Sequence, residues 1–268
     1  MKPIFKRVLA VTAFVAASAA NAEIFIDIPN PFEHSSTATL AFSQDALTAL
    51  KTAGVALNTP DLIPSIAGLP HAGATNAAAY SSSLNKLTVT GSVMSLSGDA
   101  VTSLSAPDSV LRLTRGVFDE NDNPSIYRVF LAGFELNLSL GIVYANLYAS
   151  DPVGTVTAFG KTAVFQSDEA GVVGGTGGNF VYGPNGPTAS GSLAGNLRLT
   201  TQGADIILTS LGLSLSGPTS SETVTGLWQN SNWGTASFTA PAVPEPSTWA
   251  LFGVGLLSAG ALARRRQA

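Results

Sequence analysis

From about Leu87 to Ser216 the chain alternates one apolar residue with one Ser, Thr, Asn or Arg, run after run, with turn residues between the runs. The clearest are Leu87 to Leu96, Val110 to Arg115, Phe134 to Leu140, Gly154 to Phe159, Leu193 to Thr200 and Leu211 to Ser216. Period 2 is the signature of a strand with one buried and one solvated face. Turn signals separate these runs at Gly98-Asp99, Asn123-Pro124, Asp151-Pro152, Gly183 to Pro187 and Gly217-Pro218. One-sided strands of this kind suit antiparallel sheets packed face to face. The sequence therefore predicts a mainly β, antiparallel β-sandwich-like body.

One segment departs from the alternation. Ser43 to Leu57 has apolar residues at Ala46, Leu47, Leu50, Val55 and Leu57, a cap residue at Ser43 and a stop at Gly54, the pattern of one short N-terminal amphipathic helix. Pro60 to Ser83, with Pro60, Pro64 and Pro70 among small residues, reads as a long loop. The two Ser-Leu-Ser-Gly endings, Ser95 to Gly98 and Ser214 to Gly217, are too weak to count as a repeat.

The two ends have a different character. Lys2, Lys6 and Arg7 precede an apolar stretch from Val8 to Ala17 and an Ala20-Asn21-Ala22 cleavage site, which reads as a signal peptide removed before Glu23. At the other end stand Val243-Pro244-Glu245-Pro246-Ser247-Thr248-Trp249, an apolar stretch to Ala263, and Arg264-Arg265-Arg266. Pro244 and Pro246 fix φ and lack N–H groups, so the backbone there is extended, and Ser247 or Thr248 can cap the helix that follows. Trp249 suits a membrane interface, and the three arginines hold the far end in the cytoplasm. The expected layout is a signal peptide over 1–22, a β-rich extracytoplasmic domain over 23–242, and a tail over 243–268 containing a single transmembrane helix.

In that order, a Pro-Glu-Pro turn, a short apolar helix and an arginine cluster resemble the PEP-CTERM sorting signal of exopolysaccharide-producing Gram-negative bacteria. The resemblance covers about a tenth of the chain. It implies handling by an exosortase-type membrane protease that recognises Pro244-Glu245-Pro246, with exopolysaccharide as a further partner. Trp249 to Ala263 would span about 22 Å as a helix, short of a hydrocarbon core of about 30 Å, which suits a temporary stop better than a lasting anchor. Export through the inner membrane to periplasm, cell surface or matrix follows, with transient membrane anchoring.

Composition narrows the chemistry. The chain has no cysteine, so disulfides, thiol nucleophiles and cysteine metal sites are excluded. Between residues 23 and 242 stand seven basic residues against sixteen acidic ones, a net of −9 that repels nucleic acid and anionic membrane surfaces. His34 and His71 are the only histidines, neither lies in a zinc pattern, and no G-x-S-x-G elbow is present. Asp119-Glu120-Asn121-Asp122-Asn123 spaces oxygen ligands as a calcium loop does, but Pro124 and Phe130 stand where an EF-hand has its glycine and glutamate. A solvated hairpin turn is the favoured reading there.

Gly171 to Gly178 lacks the Gly-Lys-Ser/Thr ending of a phosphate loop, which leaves a hairpin loop. Trp228 and Trp233 flank Gln229-Asn230-Ser231-Asn232, either a sugar-stacking platform or, as favoured, two core tryptophans beside a hairpin turn. No catalytic residue, cofactor-binding residue or metal ligand can be assigned. The expected function is a non-enzymatic surface or matrix protein, with a carbohydrate-binding module or adhesin as the alternative and a secreted hydrolase third.

Overall fold

The computed structural model describes residues 35–97, 100–167, 180–183, 186–193, 197–213 and 222–240. Within them the strands are β1 (Ser35–Phe42), β2 (Val55–Asn58), β3 (Ala78–Ser81), β4 (Lys86–Ser97), β5 (Ala100–Phe118) and β6 (Pro124–Asn137). They continue as β7 (Ile142–Ser150), β8 (Val156–Ser167), β9 (Phe180–Gly183), β10 (Gly186–Leu193), β11 (Leu197–Leu199) and β12 (Gly234–Ala240). The helices are α1 (Gln44–Thr52), α2 (Thr201–Ser210) and α3 (Glu222–Asn230).

All twelve strands belong to one antiparallel sheet in the order β11-β8-β7-β6-β5-β4-β1-β12-β10-β9, with β2 paired to β5 and β3 to β4. This corrects the expected sandwich: the sheet curls back on itself, nearly closed like a barrel, and its two halves form both walls of the core. The bend comes from breaks in register, between Ala106 and Val110 of β5, Ala132 and Glu135 of β6, and Leu147 and Tyr148 of β7. Extra residues on one strand kink it and increase its twist. Where the sheet comes round, the Trp233 N–H, just before β12, donates to the Leu197 carbonyl of β11 at 2.6 Å.

The alternation read from the sequence does set the faces. Val89, Val93, Leu136 and Leu138 are buried, and β12 alternates strictly between buried and exposed residues. Leu213 is buried too, but not on a strand. The segment expected as the strand Leu211 to Ser216 begins as the end of a helix: the Gly212 and Leu213 N–H groups return to the Thr209 and Leu208 carbonyls, with Gly212 at φ +69. That is a glycine-ended Schellman turn; residues 214–216 lie outside the described residues. The preceding helix is announced by Ala204, Ile207, Leu208 and Leu211 at helical spacing and by Thr200, whose hydroxyl accepts the Gly203 N–H at 3.0 Å. The expected strand Leu193 to Thr200 is likewise divided between the end of β10 and β11.

The expected N-terminal helix is present as α1, capped by Ser43, whose hydroxyl accepts the Ala46 N–H at 3.1 Å. It is shorter than expected, because after Gly54 at φ +66 Val55 and Leu57 enter β2. With α2 and α3 the domain has three helices among the described residues, not one. The expected loop Pro60 to Ser83 contains β3, and before it Ile63 and Leu69 pack on Val110, Phe130 and Tyr148. Asn76 fastens it: its amide donates to the Pro60 and Val110 carbonyls and its oxygen accepts the Ala78 and Val110 N–H groups, all within 3.0 Å.

Candidate functional site

The tail leaves the domain from an interior strand. β12 pairs with β1 from Thr37↔Thr239 to Phe42↔Gly234, and on its other side with β10 from Ala189↔Ala240 to Leu193↔Ala236. Its last residue, Ala240, is fully buried. From Ala236 to Thr239 the strand is paired on both sides, which ties its backbone to two ladders. The sorting residues Val243, Pro244, Glu245, Pro246, Ser247, Thr248 and Trp249 and the arginines Arg264, Arg265 and Arg266 lie outside the described residues. So do the N-terminal segment with its Ala20-Asn21-Ala22 site, His34, the glycine run 171–178 and the expected C-terminal helix. Among the described residues no helix is long and apolar enough to cross a membrane.

The PEP-CTERM protein-sorting motif family matches residues 242–267, so the match begins two positions after the end of β12. The chain carries a PEP-CTERM sorting motif. The motif implies export, membrane-associated sorting and an exosortase as processing partner. No curated protein matches the chain. Among solved structures, the C-terminal domain of HtaA from Corynebacterium glutamicum is similar, with 14% identity and a TM-score of 0.43, covering 78% of this chain and 97% of that one.

The tryptophans are core residues, which removes the sugar-platform reading for this pair. Trp228 and Trp233 are 0% and 2% exposed. Trp228 Nε1–H donates to the Ala49 carbonyl of α1 at 3.0 Å, and Trp233 Nε1–H to the Trp228 carbonyl at 2.9 Å. Their rings meet edge to face at 5.1 Å between centroids, and Phe165 of β8 packs on Trp233 at 5.6 Å. The polar residues between them lead from α3 into β12 and are not a hairpin turn.

Asp119 to Asn123 forms the tight turn of the β5–β6 hairpin. The Asp119 carboxylate accepts the Asn123 side-chain amide at 2.9 Å and the backbone N–H groups of Asn121 and Asn123 at 2.8 Å. These bonds, the side-chain one first, hold its pKa below the usual aspartate value. Asp122 takes the left-handed conformation, φ 58, that the turn requires. The Asp119 carboxylate is thus turned to the loop's own amides. Among the described residues no group of three or more His, Asp or Glu side chains is gathered to hold a metal.

His71 pairs through Nδ1 with the carboxylate of Asp108, which sits in the break of register on β5. The two are 37 positions apart, so no sequence spacing signals the pair. The adjacent Ser109 is not presented to this imidazole: its buried hydroxyl donates to the Ala106 carbonyl and accepts the Phe134 N–H. Glu135 pairs with Lys161 at 2.7 Å.

Inside the curled sheet lies a cavity of about 60 Å³ between the two larger core clusters, walled by Leu40, Leu87, Val89, Phe134, Leu136 and Phe165. Its lining is almost wholly apolar and includes no carboxylate, imidazole or amine for acid–base work.

Proposed function

We propose that the chain is an exported surface or extracellular-matrix protein with a structural or interaction role and no enzymatic activity. In this reading residues 1–22 direct export, residues 23–242 form the working domain, and an exosortase-type protease acts at Pro244-Glu245-Pro246. The carrying observation is the sorting motif directly behind a strand paired on both sides. Such a strand holds its place while Pro244-Glu245-Pro246, four residues on, is taken up by a protease, so processing does not require the domain to unfold. The scattered engagement of the carboxylates supports a non-enzymatic role, since Asp119, Asp108 and Glu135 each have a separate partner. Intact mass of the protein recovered from its host tests the reading. A mass beginning at Glu23 and lacking the segment after the motif supports it; the full-length mass in surface material overturns it.

The alternative, a carbohydrate-binding module or adhesin, no longer draws on the tryptophan pair. It draws instead on the outer face of β4, β1, β12 and β10.

A further inference from the structure

The outward residues of those four strands form a grid of hydroxyls. Pairing places Ser190, Thr239, Thr37 and Thr90 opposite one another in one row. Ser192, Ser237, Thr39 and Thr88 make the next. The intervening residues of the same strands, such as Ala189, Phe238, Leu40 and Val89, are buried, so the hydroxyls all point to the outer face. Thr90, Ser190, Ser237 and Thr239 are exposed and the other four half-buried. None of the eight hydroxyls is engaged by another described residue. At the described outward positions of these strands the only charge is Lys86, at the border, although the body as a whole is strongly acidic.

Register is also unbroken here. The pairings β10–β12, β12–β1 and β1–β4 run without a bulge, while every break of register falls between β4 and β8. Neighbouring strands stand about 4.8 Å apart, so each row is about 14 Å long, and the rows lie about 7 Å from each other. A hydroxyl both donates and accepts, so the rows match a partner whose own groups do both, and the missing charge leaves nothing to favour an ionic one.

We propose that this face binds a neutral polysaccharide chain laid along the hydroxyl rows, across the strands. Twist distinguishes this partner from a planar crystal such as ice. Successive strands rotate by about 20–25°, so a four-stranded face is a warped ribbon that a flexible polymer follows and a flat lattice does not. Without aromatic stacking each sugar contributes little, and retention depends on many repeats engaging at once. The proposal names a ligand class for the matrix role above. It rests on that reading for where the ligand is met, not for how it is held.

The test is retention of the full chain on immobilised dextran, amylose, cellulose and mannan, with alginate as an anionic counterpart and free glucose as competitor. Retention on at least one neutral polymer, little on alginate and no competition by glucose are expected. The variant combining Thr37→Val, Thr39→Val, Ser237→Ala and Thr239→Val should weaken retention about tenfold or more, since it removes four bonding groups while keeping strand-forming shapes. Thr157→Val, on the exposed stretch of β8, should change nothing. If the fourfold variant does not reach the wild-type melting temperature, Thr90→Val with Ser190→Ala decides at the row ends by the same loss. Retention on none of the neutral polymers, equal retention of the folded variant, preference for alginate, or adsorption to ice in place of glycan overturns the proposal. Intact mass of the host-derived protein reports sorting separately, so a failure of either idea is recognised as its own.

Discussion

Trp228 shows what a single residue does here: it fills the space between α1 and the curled sheet and caps the Ala49 carbonyl. Trp228→Ala should cost about 3–5 kcal/mol of stability in urea unfolding, as large-to-small changes in a core do. Trp228→Phe keeps most of the volume and removes this one bond, while the Ala49 carbonyl keeps the Ala53 N–H at 3.1 Å, so about 0.5–1.5 kcal/mol is expected. A loss below about 0.5 kcal/mol, the scale of surface substitutions, would mean the ring is not packed as described. The sequence shows two tryptophans beside amides, which is equally the look of a wet platform, because an indole is apolar on its face and polar at one edge. Burial, not residue type, decides between the two. Asp119 is the opposite case, an exposed side chain whose turn-forming role was legible. Its folded pKa is lowered, so its contribution is complete above the unfolded value of about 3.9 and is lost as pH falls through the folded value. An NMR titration should place the Asp119 midpoint below that of an unstructured aspartate, and Asn123→Ala should move it back upward. A midpoint at or above the unstructured value contradicts the turn geometry.

The strands are where the sequence was most readable, and the breaks in them where it was least. Period 2 locates β4 and the middle of β5 because solvent and core alternate along those strands. It says nothing about Pro107 to Ser109, three residues of β5 set against Gly133 alone on β6. That bulge is held by Ser109, a residue whose neighbours give no hint of it. Ser109→Ala leaves the Phe134 N–H without an acceptor in the interior, so a loss of about 1–3 kcal/mol is expected by thermal or urea unfolding. If Ser109→Ala unfolds like the wild type, water or a shifted strand must take the hydroxyl's place. The misread segment at Leu211 is instructive in the same way. Leu211-Gly212-Leu213 alternates, but the helical spacing from Ala204 to Leu211 runs across the boundary and wins, because Gly212 ends a helix in a left-handed turn. A Cβ at Gly212 would meet the Tyr127 ring at 2.9 Å. Gly212→Ala combines that crowding with a strained φ, and a loss above about 1 kcal/mol is expected.

At the scale of the molecule, alternation told which residues face inward but not what they face. A sandwich of two sheets and one sheet curled on itself present the same one-sided strands, and only the bulges separate them. In the tail the sorting motif was legible, and the match over residues 242–267 agrees with it; the apolar stretch and the arginines behind it are expected to have separate physical tasks. Those tasks predict two separable defects. Glu245→Ala changes neither the apolar stretch from Trp249 nor the arginines, so membrane engagement should persist while processing stops, and uncleaved precursor should accumulate in the membrane fraction. Removing Arg264 to Arg266 has the opposite sense. Drawing three charges into hydrocarbon costs roughly 2.5–3.5 kcal/mol each on insertion scales, so without them the short span loses its cytoplasmic stop. Precursor should then slip outward unprocessed and appear in the soluble exported fraction, because the motif is no longer held at the bilayer surface. Fractionation with intact mass reads both outcomes. Should Glu245→Ala protein still be trimmed to the mature mass at the normal rate, recognition does not run through the Pro-Glu-Pro segment, and the stretch from Trp249 to Ala263 is an ordinary anchor behind the last strand.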